Sequence, residues 1–419
     1  MRRKKNFAGV VAVLAVVAVS AAMECTRAFA QTEETLYSFS GSPTSPSGVI
    51  IGPGGSLYGR VDPFEGVSSI YELSPSNGGW AFSILSSGLY DGAATDTPPP
   101  LIADASGNLY GTDYHDDGGD GLVYELSPSS DGSWTLQTLY AFSAEGGKNG
   151  QAPTGPLAMD SAGNLYGTTQ GGGHEQCDGR GGCGTVFELI RGQGGTWTEK
   201  VLYAFGGPGD GVGPLYGVIF DAAGNLYGTT FTGGLSGGDY GTVFELSPEA
   251  GGVWKERILH RFDWNGKDGY QPISGLVLDA AGNLYGTTSS GGAFGANGYG
   301  GTIFELSPTL EGGWSEKILH NCLNPHSANG ECSGQLISDA SGNLYGVSHD
   351  GGDHVGAVYE LSPSAGGSWI QNILYSFSKE NGQPYYPGGA LQFDSAGNIY
   401  GTTGAGGANG QGAIYEITP

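Results

Sequence analysis

Short apolar runs of the β type alternate with polar turns along most of this chain. The stretch 216–262 shows the pattern best, with the runs YGVIFD, NLYGTT, GTVFEL and VWKERILHRF separated by Gly, Pro, Asn and Ser. These runs are rich in branched and aromatic residues, and none continues with the 3.6-residue period of a helix. The pattern predicts a unit of four short antiparallel strands.

This unit recurs along the chain. The segment DAAGNLYGTT at 221–230 returns letter for letter at 279–288, and five near copies complete a set of seven. The shared tyrosines are Tyr58, Tyr110, Tyr166, Tyr227, Tyr285, Tyr345 and Tyr400, with separations of 52 to 61 residues that average 57. Seven four-stranded repeats predict an all-β, seven-bladed β-propeller that occupies residues 31–419 as one domain.

The two ends of the repeat region predict how the ring closes. The sequence ends on AIYEITP, which corresponds to the third strand of a unit, and no fourth strand follows it. The segment ETLYSF at 34–39 resembles the fourth-strand endings TLYAF, VLYAF and ILYSF. We therefore expect it to pair with 412–418 and complete the last blade.

The first 30 residues have the pattern of a signal peptide. MRRKK is followed by a 17-residue apolar run at 7–23 and by AFA, a small-residue cleavage site. We predict cleavage after Ala30 and a secreted, extracellular or periplasmic protein with no membrane span after cleavage. A retained membrane anchor is the less favoured alternative, because a spanning helix needs about 20 apolar residues.

Charge restricts the partners. The full chain has a formal net charge of −25, and removal of residues 1–30 leaves 11 basic and 40 acidic residues. So acidic a surface repels nucleic acid and anionic lipid. We therefore expect no nucleic-acid partner.

Cysteine spacing predicts two local disulfides. Four cysteines remain after cleavage, in CDGRGGC and in CLNPHSANGEC. In an oxidising compartment we expect Cys177 to pair with Cys183 and Cys322 with Cys332. A four-thiolate zinc site is the alternative, but neither spacing matches the usual zinc ligand pairs.

Loop lengths indicate where a ligand would bind. From each motif tyrosine to the glutamate of the next strand the separation varies from 14 to 22 residues, whereas the DAAGN-type turn has a constant length. Alternation of strand direction places these varying loops on the same face as the connections between blades. We call this the variable face, since binding residues favour long loops on a rigid scaffold.

A displaced tryptophan marks one candidate ligand site on this face. Trp264 is the only tryptophan outside the repeat register, in HRFDWNGKDGYQP. Its ring could stack on a sugar while neighbouring polar groups bind the hydroxyls. The predicted ligand-binding residues are Asp263, Trp264, Asn265, Asp268 and Tyr270. Packing within the loop and binding of a protein partner are the alternatives.

Two acidic loops are candidate metal sites. They are DYHDDGGD at 113–120 and HDGGDH at 349–354. Carboxylates there could bind Ca²⁺, and His349 with His354 could bind a transition metal. The candidate ligands are Asp116, Asp117, Asp120, His349, Asp350, Asp353 and His354. Solvated acidic loops without a metal are the favoured alternative, and no cofactor is required by the sequence.

The repeated aspartate and tyrosine have structural interpretations. Asp, Gly and Asn in the DAAGN motif are what a tight turn needs, and we favour a turn over a calcium site. The NLYG tyrosine is never replaced by Phe, and every following strand contains a glutamate. We therefore predict a hydrogen bond from each of these tyrosines to a repeat glutamate in the same or the adjacent blade.

The combination of GNLYGTT, GTVFELSP, GGxW and VLYxF resembles the Gloeo-Verruco tandem repeat family, the choice-of-anchor GloVer proteins. The resemblance covers nearly all of 33–419. It implies an exported bacterial repeat protein, often with a C-terminal sorting anchor, and it implies no particular activity. This sequence departs from the family pattern because no anchor tail follows the last strand before Pro419.

No catalytic motif is supported by its surroundings. We found no nucleophile elbow, zincin helix or phosphate-binding glycine loop in a suitable context. The favoured function is therefore an exported, non-catalytic propeller that binds an extracellular glycan or protein partner on its variable face. The alternatives are a metal-assisted lyase or hydrolase using His115, His349 or His354, and a structural module of the cell envelope.

Overall fold

The computed structural model describes residues 32–41, 44–63, 67–90, 99–114, 120–143, 149–174, 177, 181–235, 238–293, 300–322, 332–349 and 355–418. Residues 31–419 form one compact unit. In it, seven antiparallel sheets of four strands form a propeller, which confirms the predicted all-β fold. Within the described residues, short 3-10 turns lie at Pro53–Gly55, Gln193–Gly195 and Glu380–Gly382.

Each blade follows the order of its strands in the chain, and in three blades the first strand is split in two. Blade 1 contains Thr44–Pro46, Ile50–Ile51, Leu57–Pro63, Val67–Ser76 and Gly79–Tyr90. Blade 2 contains Ile102–Ala103, Leu109–Asp113, Leu122–Pro128 and Trp134–Ala141. Blade 3 contains Gln151–Pro153, Ala158–Met159, Leu165–Gly171, Thr185–Arg191 and Trp197–Ala204. Blade 4 contains Ile219–Phe220, Leu226–Thr230, Thr242–Pro248 and Trp254–Arg261.

The remaining blades follow the same plan. Blade 5 contains Gly269–Pro272, Val277–Leu278, Leu284–Gly291, Gly301–Pro308 and Trp314–Cys322. Blade 6 contains Ser333–Ser338, Leu344–Ser348, Ala357–Pro363 and Trp369–Ser376. Blade 7 contains Tyr385–Phe393, Ile399–Ala405, Ala413–Thr418 and, as its fourth strand, Thr32–Ser38.

The N-terminal strand closes the ring as predicted. Thr32–Ser38 runs antiparallel to Ala413–Thr418, with Thr32 opposite Thr418 and Ser38 opposite Ala413. Phe39, directly after this strand, packs in the same apolar cluster as Leu57 of blade 1. The first and last segments of the repeat region therefore hold the same blade together.

The hydrophobic core is divided into seven clusters, one at each junction between neighbouring blades. At the junction of blades 3 and 4, Phe205 meets Phe244 with ring centroids 5.1 Å apart, edge to face. At the junction of blades 4 and 5, Phe262 meets Phe304 in the same way at 5.3 Å. The sequence repeats because each blade must bury its faces against two neighbours of nearly the same shape.

A glycine and a proline form a second repeated contact between blades. Gly241 of blade 4 has a φ of +92°, and a Cβ there would lie 2.6 Å from Pro272 Cδ of blade 5. Gly184 and Pro214 repeat this contact between blades 3 and 4, at a φ of +94° and 2.5 Å. The chain therefore needs glycine here, both for the left-handed backbone and for the close approach.

The DAAGN segments are tight turns, as the sequence suggested. In blade 4, Asp221 Oδ1 accepts hydrogen bonds from the backbone N–H groups of Ala223 and Asn225 at 2.9 and 2.8 Å. The Asn225 side chain donates to Asp221 Oδ2 at 2.8 Å. These contacts recur with the same geometry in blades 2, 3, 5, 6 and 7. Both oxygens of this aspartate are thus used to hold the turn.

The predicted tyrosine–glutamate hydrogen bond is present within five blades. The NLYG tyrosines of blades 1, 2, 3, 4 and 6 donate to the glutamate opposite them at 2.8 to 3.4 Å. In blades 2 to 7 the hydroxyl also donates to the turn aspartate, as Tyr227 does to Asp221 Oδ2 at 3.1 Å. This second acceptor was not predicted, and it explains further why Phe never replaces this tyrosine.

Both predicted disulfides are present, Cys177 with Cys183 and Cys322 with Cys332. Among the described residues, no helix has the length and apolar character needed to cross a bilayer.

Candidate ligand-binding site

The loops of the variable face contact each other in pairs. In blade 4 the incoming connection and the loop between strands two and three form a small extra sheet of Gly211–Val212, Thr232–Leu235 and Gly238–Asp239. The backbone N–H of Gln271, in the strand Gly269–Pro272 of blade 5, donates to the carbonyl of Tyr240 at 2.7 Å. These bonds place the loop that follows blade 4 beside Tyr240.

The loop 262–270 is folded by its own polar side chains. Asn265 Oδ1 accepts hydrogen bonds from the backbone N–H groups of Lys267 and Asp268, both at 2.9 Å. Asp268 Oδ2 accepts one from the backbone N–H of Asp263 at 3.1 Å. Gly266 has a φ of +75° at the turn. The bonds fix the backbone on both sides of Trp264.

Trp264 projects from this loop into solvent. Its side chain is 62% exposed, although it is a large apolar group. Its ring lies over Tyr270, with centroids 6.2 Å apart and planes 30° apart. Tyr270 in turn contacts Tyr240 edge to face at 5.7 Å. The three rings form a continuous aromatic surface, which we call the Trp264 platform.

The five predicted ligand-binding residues thus occupy two kinds of position. Trp264 is exposed, and Asp263 and Tyr270 are partly exposed beside it. Asn265 is exposed too, but its side-chain oxygen is used within the loop. Asp268 is buried, with 6% exposure, and its carboxylate points toward the base of the loop.

Two residues at that base were missed by the sequence analysis. His260 Nε2 lies 3.2 Å from Asp268 Oδ2 and 3.7 Å from Glu316 Oε1. His260 belongs to the outer strand of blade 4 and Glu316 to the outer strand of blade 5. Burial and the Asp268 carboxylate raise the pKa of Glu316 well above its usual range.

The position of His260 is part of a repeated contact between outer strands. Its equivalents in ILYSF-type motifs include Tyr203 and Tyr375, and Tyr375 donates to Glu33 Oε2 of blade 7 at 3.3 Å. The replacement of Tyr by His in ILHRF is visible in the sequence, but it recurs at His320 in ILHNC and does not by itself mark the site. The carboxylate partner could not have been found in this way, because it comes from the next blade.

The residues of the two predicted metal loops are described only in part. Asp120 is partly exposed, and its backbone carbonyl accepts a hydrogen bond from Ala152 N at 2.6 Å. His349 is exposed and stacks on Tyr386 of blade 7, with centroids 4.7 Å apart. The other members lie outside the described residues: His115, Asp116, Asp117, Asp350, Asp353 and His354. A metal at either loop therefore stays a prediction.

Comparison with known proteins identifies a family. The model of the Gloeobacter/Verrucomicrobia repeat matches residues 175–415. No curated protein sequence is significantly similar to the chain.

Several solved structures are similar to the chain at low identity. A candidate 6-phosphogluconolactonase of Bacteroides uniformis ATCC 8492 is 13% identical, with a TM-score of 0.48, over 78% of this chain and 82% of that one. The PQQ-bound aldose sugar dehydrogenase of Streptomyces coelicolor is 11% identical, with a TM-score of 0.44, over 92% and 98%. AofleA of Arthrobotrys oligospora is 16% identical, with a TM-score of 0.39, over 82% and 89%. Sequence identity and structural similarity this low do not indicate an activity.

Proposed function

We propose that this chain, which belongs to the Gloeobacter/Verrucomicrobia repeat family, is an exported binding protein for a neutral glycan. Its repeats form a ring of seven blades that holds the ligand-binding loops. The ligand binds on the variable face, at the Trp264 platform. The protein acts by recognition and carries out no reaction on the sugar.

The exposure of Trp264 carries this proposal. An indole at 62% exposure on a loop fixed by several hydrogen bonds is preorganised for a flat apolar partner. The C–H face of a pyranose is such a partner, and stacking on an aromatic ring leaves its hydroxyls free for polar neighbours. Asp263 and the hydroxyl of Tyr270 lie beside the ring to bind them.

Charge selects the class of glycan. The chain has a formal net charge of −25, so an anionic polysaccharide would be repelled from its surface. A neutral or amino sugar avoids this cost. The proposal therefore favours uncharged glycans over uronic acid or sulfated polymers.

Export is the second part of the proposal. The apolar run at 7–23 with its flanking charges is typical of a signal peptide, and two disulfides fit an oxidising compartment. Mass spectrometry of the protein purified from the extracellular or periplasmic fraction should find Gln31 as the first residue. A first residue within the apolar run, or an intact N-terminus, would contradict cleavage after Ala30.

The binding site is tested by a glycan array with matched variants. Trp264→Ala removes the exposed ring, and Leu310→Ala is the control, since Leu310 is also fully exposed but lies in a turn between strands three and four on the opposite face. We expect the wild type and Leu310→Ala to bind the same neutral glycans. Trp264→Ala should bind them at least about 10-fold more weakly, because stacking on an aromatic ring is worth about 0.5–1.5 kcal/mol beyond the area buried.

Two results would contradict the proposal. Equal binding by Trp264→Ala and the wild type would place the site elsewhere. Absence of any glycan bound by the wild type, together with a Trp264-dependent complex with a protein, would replace the glycan by a protein partner.

A further inference from the structure

His260, Asp268 and Glu316 converge where the outer edges of blades 4 and 5 meet. His260 lies near the end of Trp254–Arg261, Glu316 near the start of Trp314–Cys322, and Asp268 in the connection between the two blades. One potential ligand atom from each residue lies within 4.8 Å of the other two. In the part of the chain that the structure describes, this is the one such group of three.

Each carboxylate of this group has one oxygen that no donor of the described residues satisfies. Asp268 Oδ1 and Glu316 Oε1 are buried and have no hydrogen-bond partner among the described residues. Asp268 is itself more than nine-tenths buried. A buried carboxylate oxygen without a donor is costly, and one divalent cation would satisfy both of these oxygens.

At the neighbouring junction the equivalent aspartate is satisfied, although the equivalent glutamate oxygen, Glu256 Oε1, is buried without a partner among the described residues there too. At blades 3 and 4 the equivalent residues are Tyr203, Asp210 and Glu256. Asp210 Oδ2 accepts from the Tyr203 hydroxyl at 2.9 Å and from two backbone N–H groups, and its Oδ1 accepts from Gly211 N at 2.7 Å. Both oxygens of Asp210 thus have donors, whereas Asp268 has donors on one side only.

We propose that His260 Nε2, Asp268 and Glu316 bind one divalent transition-metal ion, with Zn²⁺ as the best match. Zinc takes imidazole nitrogen and carboxylate oxygen together in tetrahedral sites at about 2.0–2.2 Å, so neighbouring ligand atoms lie about 3.4 Å apart. The separations of His260 Nε2 from Asp268 Oδ2 and Glu316 Oε1, at 3.2 and 3.7 Å, fall on either side of this value. Calcium fits less well, because it takes six to eight oxygen ligands.

Three protein ligands leave the fourth position of the zinc for water. The ion neutralises the two carboxylates and links blade 4 to blade 5 through side chains that are 56 residues apart in the chain. It also holds Asp268, whose Oδ2 accepts from Asp263 N beside Trp264. The site lies at the base of the platform, but its occupation by metal does not depend on the platform binding a glycan.

The chain offers a matched pair of variants for the test. His320 occupies the position of His260 in the next blade, where the repeat equivalent of Glu316 is Gln371, and Tyr occupies this position at Tyr203 and Tyr375. His260→Tyr and His320→Tyr are therefore the same substitution at equivalent, Tyr-compatible positions. Glu316→Gln is a second variant that the fold should tolerate, because Gln371 is its native equivalent in blade 6.

The experiment is isothermal titration of the metal-stripped full-length mature protein with ZnCl₂. Absorption of the Co²⁺ form reports whether the ion is tetrahedral. We expect one tight site per chain in the wild type and in His320→Tyr. His260→Tyr should lower the affinity more than about 100-fold and abolish the Co²⁺ spectrum, and Glu316→Gln should lower it about 10-fold or more.

Other results would overturn the proposal. No tight Zn²⁺ binding by the wild type would do so, as would unchanged affinity in Glu316→Gln and His260→Tyr. Equal loss in His320→Tyr would place the metal elsewhere. The unfolding temperature of each variant in chelator shows whether it is folded, and if His260→Tyr is not, Glu316→Gln decides the question.

Discussion

The junctions of blades 3–4 and 4–5 are built from nearly the same residues, but the loop at the second one holds a large aromatic ring in solvent. Phe205 is followed by Asp210 five residues later, and Phe262 by Asp268 six residues later. In the shorter loop, the backbone N–H groups of Gly206 and Gly207 reach Asp210. In the longer loop, Trp264 is pushed into solvent and Asp268 keeps one oxygen without a donor.

The comparison teaches that one inserted residue can change a structural hydrogen-bond network into a candidate binding site. The apolar part of the two junctions is the same, with an edge-to-face pair of aromatic rings in each. The change from Tyr203 to His260 replaces a hydroxyl donor by an imidazole that lies 3.2 Å from the Asp268 carboxylate. Because the two junctions share their apolar packing, the polar residues at their outer edges can differ.

The largest effect should come from the glycines that both junctions share. In Gly241→Ala the new Cβ would lie 2.4 Å from Thr230 O and 2.6 Å from Pro272 Cδ, at a φ of +92°. Steric overlap and left-handed strain together should lower the free energy of unfolding by about 3–5 kcal/mol. Gly184→Ala should cost a similar amount, because it meets Pro214 in the same way.

Urea unfolding measures this cost, and Gly251→Ala is the control. Gly251 has a φ of +85° but no atom within 4 Å of the added Cβ, so only the backbone strain of about 1–2 kcal/mol applies. Equal destabilisation by all three variants would mean that the proline contact between blades contributes nothing.

The disulfide between Cys177 and Cys183 should have the next largest effect, and it is specific to the junction of blades 3 and 4. At this junction the backbone N–H of Gly213 donates to the carbonyl of Cys183. At the junction of blades 4 and 5 the equivalent bond runs from Gln271 N to the carbonyl of Tyr240, so a tyrosine takes the place of the cysteine. The double variant Cys177→Ala/Cys183→Ala should lose about 2–3 kcal/mol of unfolding free energy on a loop-entropy estimate. Cys322→Ala/Cys332→Ala should lose about as much, and a loss below about 0.5 kcal/mol in both would reject the estimate.

A smaller effect is expected from the hydroxyl that distinguishes the two junctions. Tyr203→Phe removes a donor to the buried Asp210 and should lower the free energy of unfolding by about 1–2 kcal/mol in chemical denaturation. Tyr359→Phe is the control, because its hydroxyl is buried and has no partner among the described residues. Its removal should leave stability unchanged or slightly increased. Equal losses in the two variants would show that the bond to Asp210 is not what stabilises this junction.

The smallest effect is a pH dependence at the junction of blades 3 and 4. Burial, with the Asp210 carboxylate as a second cause, raises the pKa of Glu256 from 4.5 to about 7. The folded protein therefore binds this proton more tightly than the unfolded chain, and the stabilisation is complete below about pH 4.5 and lost as the pH rises through about 7. The unfolding temperature in chelator should fall between pH 5 and 8.

Glu256→Gln isolates this group. The amide should make the fall smaller, while Glu311→Gln, in an exposed turn of blade 5, should leave the wild-type slope unchanged. An unchanged slope in Glu256→Gln would assign the pH dependence to other carboxylates.

Much of the fold could be predicted from the sequence because the pattern of one four-stranded blade occurs seven times. In the unit 216–262 the runs chosen as strands correspond to Ile219–Phe220, Leu226–Thr230, Thr242–Pro248 and Trp254–Arg261. A period of about 57 residues, an incomplete last unit and a matching N-terminal strand leave a closed ring as the simplest solution. Both disulfides follow from spacing, since each closes a short loop.

The candidate site could be predicted only in part. Trp264 stood out because it breaks the repeat register, and its exposure agrees with that signal. Asn265 and Asp268 were grouped with it as ligand-binding residues, because a sequence does not show which polar side chains are used by their own loop. The structure turns the oxygen of Asn265 and the carboxylate of Asp268 toward backbone N–H groups.

The sequence by itself determined what depends on local pattern and repetition: strand type, blade number, ring closure, disulfides and the misplaced tryptophan. Only the tertiary structure decided which side chains of different blades meet, as His260 and Glu316 do. The physical reason is that a blade junction joins residues about one repeat apart, and the state of a carboxylate there depends on the donors around it. Asp210 and Asp268 occupy the same place in the repeat, but one has donors on both oxygens and the other does not.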